Sequence, residues 1–264
     1  GEMAATRNDR PVRPVETAET SGDVQAFLRK VAAAPAPATG GSRGRLMFAM
    51  DATASRQPAW DRACHIQSEM FHSTSTIGGL DVQLVFYRGY GECKASPWVS
   101  DAATLARKMT GVSCLGGRTQ IGRVLAHAAK ECRAKRVNAL VFVGDAFEEE
   151  IDAVCAQAGG LGLLGMPAFM FHEGPDPVAR NANLDGTAPA TDPVARNAFE
   201  QIARLSGGAC CSFDGSSADQ LKALLAAVAV FAAGGMKALE DYGHRAGGEA
   251  ARLSGQLRAL PGRR

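Results

Sequence analysis

The fold class this sequence predicts is α/β, with a doubly wound, mostly parallel central sheet, helices on both faces and one antiparallel edge strand. Three observations predict it. Short apolar runs alternate along the chain with amphipathic stretches of helical period. The runs at 46–50 and 139–143 are apolar throughout, as strands covered on both faces are. One pair of runs, joined across Gly89-Tyr90-Gly91, has the short connection of a hairpin.

The elements follow in order. Residues 45–50 form the first strand and 59–71 the helix after it. Residues 81–87 form the second strand, with Val82, Leu84 and Phe86 alternating against Gln83 and Val85, and 92–99 return as the antiparallel edge. Asp101 caps a helix running to Met109. A helix at 120–134 leads to a central strand at 138–143. The helix expected at 148–157 opens with Glu148-Glu149-Glu150, which suits the positive end of its dipole. A strand at 167–171, a helix at 198–205, a strand at 209–213 and a helix at 217–233 complete the series.

Around this core, 1–43 reads as an arm rich in Pro, Ala, Thr, Glu and Gly. One short helix is expected within it, at 23–33, either docked through Val24, Phe27, Leu28 and Val31 or transient. The domain itself is expected over 44–235 and a basic tail over 236–264. Within 243–264 five arginines face one glutamate, so the tail either docks on an acidic partner or stays solvated. The hexapeptide Asp-Pro-Val-Ala-Arg-Asn occurs at 176–181 and again at 192–197. Two copies are too few for a solenoid. A duplication that lengthened one surface loop is expected, either overhanging the sheet edge or neutral.

Composition narrows the function classes. With 264 residues, 46% hydrophobic and 21% charged, the chain is globular rather than disordered. A net charge of +2 makes no electrostatic case for nucleic acid or anionic lipid. No signal peptide is expected, because the residues after Met3 are polar. The apolar stretch at 221–233 contains Lys222 and is shorter than a bilayer span, so a packed helix is expected there. The seven cysteines form no CxxC pair, which favours reduced thiols and a cytoplasmic protein.

The residues that carry chemistry lie at strand ends. Asp51-Ala52-Thr53-Ala54-Ser55 follows the first strand directly. In open α/β sheets that edge is where ligands bind. A carboxylate and two hydroxyls at alternate positions offer hard oxygen ligands, suited to Mg²⁺ or Mn²⁺ rather than to zinc or copper. Gly116-Gly117-Arg118-Thr119 places another hydroxyl at a helix start, and Asp145 ends the central strand. Taken singly, Asp51, Ser55 and Thr119 also fit as helix caps.

Together the pieces resemble the metal-ion-dependent adhesion site (MIDAS) of von Willebrand factor A (VWA) domains, whose fold is Rossmann-like. The family pattern is Asp-x-Ser-x-Ser, then a Thr, then an Asp at a strand end. Asp51, Thr53, Ser55, Thr119 and Asp145 match it, with Thr53 in place of the first Ser. The resemblance covers about residues 45–233 and extends to an uncharacterised group of single-domain bacterial proteins, expected to be alphaproteobacterial. It implies a site where Thr53, Ser55 and Thr119 ligate the ion and Asp51 and Asp145 supply charge, partly through water. A partner's Asp or Glu carboxylate completes the shell. It also implies an adaptor-like binding role, beside an AAA+ ATPase or chaperone-type complex in some members, with Gly116 and Gly117 as hinges.

Other signals are weaker. Gly160-Leu161-Gly162-Leu163-Leu164-Gly165 matches GxGxxG but lies between a helix and a strand, the reverse of a dinucleotide site, so a linking turn is expected. No GxSxG, Walker A or Cys–His pair suggests catalysis, and no enzyme is expected. A Mg²⁺-dependent hydrolase or phosphotransferase using Asp51, or a metal-free structural subunit, remain the alternatives.

Overall fold

The computed structural model describes residues 43–174, 192–215 and 217–246. Residues 1–42 of the arm, with the helix expected at 23–33, the first copy of the hexapeptide and the last part of the tail lie outside these residues. Six strands form one sheet in the order β3-β2-β1-β4-β5-β6. They are β1 (Gly44–Asp51), β2 (Leu80–Arg88), β3 (Glu92–Ala95), β4 (Ala139–Gly144), β5 (Ala168–Gly174) and β6 (Ala209–Asp214). Every pairing is parallel except β2 with β3, which makes β3 the antiparallel edge strand. The helices are α1 (Gln57–Ile66), α2 (Ser68–Thr74), α3 (Ala102–Thr110), α4 (Ile121–Ala134), α5 (Ile151–Leu163), α6 (Pro193–Ser206) and α7 (Ala218–Ala246). A 3₁₀ turn, Ala54–Arg56, joins β1 to α1.

Strand alternation divides the core into two layers. Leu46, Phe48 and Met50 of β1 pack with Trp60, Met70, Leu105 and the buried face of α7. Met47 and Ala49 face the other way, with Val124 and Leu125 of α4, Val154 of α5 and Phe199 of α6. Cys210 and Cys211 likewise go to opposite layers, as successive strand residues must. Trp60 anchors the first layer: it packs edge-on to Phe86 at 5.7 Å, and its indole N–H donates to the Met109 carbonyl at 2.9 Å. In the second layer Phe142 stacks on Tyr87 at 6.2 Å and meets Phe199 edge-on at 5.4 Å.

Several boundaries differ from expectation for physical reasons. The helix after β1 is split at Gln67 into α1 and α2. β3 stops at Ala95, and only the bridge Val82–Val99 continues the pairing. The GxGxxG segment is mostly helical: α5 runs on to Leu163, and Gly162 lets the Leu205 carbonyl of α6 lie where a side chain would stand. The second hexapeptide copy is not loop. Asp192 caps α6 by accepting from the amides of Val194 (3.0 Å) and Ala195 (3.3 Å), and Pro193 opens the helix. α7 passes residue 235 and runs to Ala246, with a break at Gly235 and with Leu239 buried beyond it. The stretch Ala218–Gly235 has the length and composition of a membrane span. Its Leu221, Leu225 and Val228–Ala232 are buried against the sheet as core.

All seven cysteines are free thiols. Burial, with the Asp51 carboxylate nearby, pushes the Cys114 thiol up to about 11 from an ordinary 9.0. At pH 8 its thiolate fraction is then about a hundredfold below that of the unfolded chain. Iodoacetamide labelling followed by mass spectrometry should show Cys114 alkylated about a hundredfold more slowly in native protein than in urea; equal rates would contradict this. Phe142→Ala removes the centre of the second layer and should cost about 3–5 kcal/mol. In urea unfolding the midpoint should fall with the slope unchanged; an unmoved midpoint would mean the layer does not depend on this ring.

Candidate metal edge

The site is built where the sheet changes direction. From β1 the chain winds to β2 and β3 on one side, and β4, β5 and β6 fill the other. The crevice at such a switch point, beyond the carboxyl ends of the strands, is where ligands bind in open α/β sheets. Met50 of β1 lies opposite Val143 of β4. Asp51, the last residue of β1, therefore stands beside Gly144, the last of β4, and Asp145 follows at once.

Asp51 is 1% exposed. Its Oδ1 accepts two hydrogen bonds from Thr53, one from the amide at 2.8 Å and one from the hydroxyl at 2.7 Å. Its Oδ2 has no hydrogen-bond partner among the described residues. Burial raises the carboxyl's pKa above the usual range; the Thr53 bonds and Arg56 pull it back, and Asp145 adds to the rise. Neither Asp51 nor Ser55 caps a helix. The 3₁₀ turn and α1 have no side-chain cap, and Ser55 is exposed on that turn.

The Thr119 loop is laced to the same edge. Leu115 N–H donates to the Ala52 carbonyl at 3.0 Å, Gly89 N–H to the Leu115 carbonyl at 3.1 Å, and Arg118 N–H to the Gly89 carbonyl at 3.0 Å. Gly117 packs so closely on Gly89 that a β-carbon would overlap its carbonyl. Close approach, as well as any hinge role, accounts for the glycine there. Thr119 is buried, and its hydroxyl accepts from the Glu148 amide at 2.9 Å. It does not cap α4. That task falls to Glu149, whose carboxylate accepts from the amides of Ile121 and Gly122 at 2.8 Å each. Glu150 caps α5, accepting from Ala153 at 2.9 Å. The triple-glutamate segment therefore precedes α5 instead of forming its first turn, and two of its members tie the Asp145 loop to the Thr119 loop.

Three further residues belong to the edge and were not anticipated. Arg56 follows the Asp51–Ser55 motif directly and is 3% exposed. Its Nη1 lies 3.4 Å from Asp145 Oδ2 and also pairs with Glu173. Burial alone would lower its pKa, but the Asp145, Glu173 and Asp51 carboxylates outweigh that and hold it above its ordinary value. Nε and Nη2 of Arg56 have no partner among the described residues. Glu173, near the end of β5, also faces Arg62 at 3.5 Å. Tyr87, opposite Asp51 in β2, is fully buried; its hydroxyl makes no bond of ordinary geometry among the described residues, but stands close enough to the Asp51 carboxylate to interact with it. Burial and the Asp51 and Glu149 charges push that phenol well above its usual range. The adjacency of Arg56 to the motif was the one available signal; Glu173 and Tyr87 become visible only once the strands are paired.

The donor set fits a small hard cation at Asp51. Thr53 gives its proton to Asp51 and keeps its lone pairs, Thr119 accepts one bond, and Asp51 Oδ2 is a buried oxygen with no partner at hydrogen-bond distance among the described residues. All three groups are oxygen donors. Among the described residues no cluster of three or more His, Cys, Asp or Glu side chains suits a metal, so the hydroxyls are essential to such a site. Asp145, its side chain 39% exposed, is engaged by Arg56. Among the described residues Asp51 and Thr53 are bonded directly, whereas Thr119 reaches the Asp145 loop only through the Glu148 amide and Ser55 is tied to none of the others.

No family model matches the sequence, and no curated protein matches it. Solved structures do. The VWA domain of SpRpn10 superposes with a TM-score of 0.50 at 11% identity, over 70% of this chain and 95% of that one. Proximal thread matrix protein 1 from the mussel byssus, solved with a zinc-occupied MIDAS motif, superposes with a TM-score of 0.51 at 14% identity. That match spans 71% of this chain and 48% of the mussel protein. The PilB minor pilin from Streptococcus sanguinis gives 0.50 at 10% identity, over 73% and 62%. This chain thus spans nearly all of the first protein and about half to three-fifths of the other two. At such identities the likeness is one of fold, and the chain has the von Willebrand factor A fold that its sequence resembles.

Proposed function

We propose that this protein binds a partner protein through a divalent-cation-dependent site at the carboxyl edge of β1 and β4. The observation that carries the proposal is Asp51, a buried carboxylate with one oxygen held by Thr53 and the other without a partner among the described residues, at the switch point of the sheet. Asp51, Thr53 and Thr119 would hold Mg²⁺ or Mn²⁺, with Asp145 and Ser55 at its open side. The ion supplies a positive centre that accepts one more carboxylate. Asp51 would neutralise part of the ion's charge, and the two threonines would add neutral oxygen donors. A partner's Asp or Glu is therefore the group such a site takes.

The rim suits a partner that is not wholly polar. Tyr90 is 82% exposed and Leu115 53% exposed, beside the exposed Arg118. The Gly89–Leu115 and Gly89–Arg118 bonds hold all three around one turn. An acidic side chain flanked by an apolar residue matches this surface. An AAA+ ATPase or a chaperone-type complex is the kind of assembly the family resemblance suggests. The odd number and scattered placement of the seven cysteines, with no CxxC pair, support a cytoplasmic location. A binding role is favoured over hydrolysis or phosphoryl transfer because Asp51 is enclosed and doubly bonded, not presented to a substrate.

Capture from cell lysate in Mg²⁺, in EDTA and with Thr119→Ala in Mg²⁺ tests the proposal. A partner held by the native protein in Mg²⁺ and lost in the other two arms is expected, and changing the partner's contacting Asp or Glu to its amide should also release it. Equal retention in all three arms would make the contact metal-independent and place it elsewhere on the surface.

A further inference from the structure

We infer that Arg56 is the resident counter-ion of this edge and that a divalent cation binds only as Arg56 leaves Asp145, so that the arginine sets the site's affinity for metal. The inference rests on the cation-site proposal above and concerns its regulation.

Arg56 leaves the 3₁₀ turn between Thr53 and α1, where its own amide donates to the Thr53 carbonyl at 2.8 Å. From there a fully formed guanidinium reaches into the carboxylate cluster, with Asp145 and Glu173 on one nitrogen and Asp51 close by. A buried cation of this kind persists only when paired. Three carboxylates, Asp51, Asp145 and Glu173, face two guanidiniums, Arg56 and Arg62. One excess negative charge remains. Adding a doubly charged ion with Arg56 in place would overshoot neutrality beside the buried Asp51 and Arg56. Adding it as Arg56 departs restores neutrality. The two cations therefore exclude each other at Asp145.

Two details make the exchange practicable. Arg56 is incompletely bonded, since Nε and Nη2 find no acceptor among the described residues, and unpartnered buried donors weaken its hold. Glu173 is not stranded when Arg56 moves, because Arg62 already stands 3.5 Å away and also donates to the Gly215 carbonyl. If Arg56 pairs with Asp145 at least nine-tenths of the time, the apparent metal affinity falls by about tenfold or more.

Mn²⁺ binding followed by electron paramagnetic resonance on the full chain tests this, comparing the native protein with Arg56→Met and Arg56→Lys. Methionine fills the buried volume without charge and should tighten Mn²⁺ binding by about tenfold or more; lysine keeps the charge and should stay close to native. Equal affinity in all three would overturn the latch while leaving the cation site intact. No Mn²⁺ binding by native or folded Met variant would overturn both. Should the Met variant fail to fold, Mg²⁺ titration of the native chain decides. The Arg56 Nε–H resonance, identified by its loss in Arg56→Lys, should move to the position of a solvated arginine. A resonance unmoved at saturating Mg²⁺ would overturn the inference.

Discussion

The parallel pairing of β1 with β4 is the constraint on which the site depends. With Met50 opposite Val143, Asp51 emerges beside Gly144 at the centre of the sheet, with Asp145 next along the chain, where two strands buried on both faces end. A shift of one residue would turn Asp51 out of the edge and reverse which layer each β1 side chain enters. The two core layers oppose such a shift, because Phe48 and Met50 have their partners on one face and Met47 and Ala49 on the other. Packing far from the edge thus fixes the positions of two charges at it.

The loops above the strands are held by hydrogen bonds between them more than by their own local preferences. Glu149 caps α4 from a position 28 residues further along the chain, and the amide beside it satisfies Thr119. The β2 turn, the Thr119 loop and the segment after Asp51 share a short series of backbone bonds through Gly89, Leu115 and Ala52. These bonds hold the Thr119 loop at the same edge of the sheet as Asp51 and Thr53. Arg56 changes the electrostatic character of that edge. A set of oxygens that looks like a vacant cation site in the linear motif already has a cation on one of its carboxylates, and the account proposed for this protein turns on competition between the two.

Much of this was legible before folding. The alternation of elements, the antiparallel edge after β2 and the aspartates at two strand ends follow from apolar runs bounded by polar residues, which are local signals. Asp101 declares its cap because the bond to Thr104 spans three residues. What escaped was non-local. The pairing of Arg56 with Glu173, the reach of Glu149 to α4 and the burial of Tyr87 beside Asp51 exist only once strands and loops are assembled. α5 runs through three glycines because the contact with α6 outweighs their poor helix propensity. Asp192-Pro193 carries a local helix-start signal, a capping carboxylate followed by proline, within a repeat whose composition otherwise suits a loop.

A crystal structure grown in Mn²⁺, with anomalous scattering measured at the manganese edge, would locate the ion and the arginine together. One strong anomalous peak is expected within coordination distance of Asp51, Thr53 and Thr119, with the Arg56 guanidinium withdrawn from Asp145. Manganese absent from this edge of the sheet, or bound there with Arg56 still paired to Asp145, would contradict this.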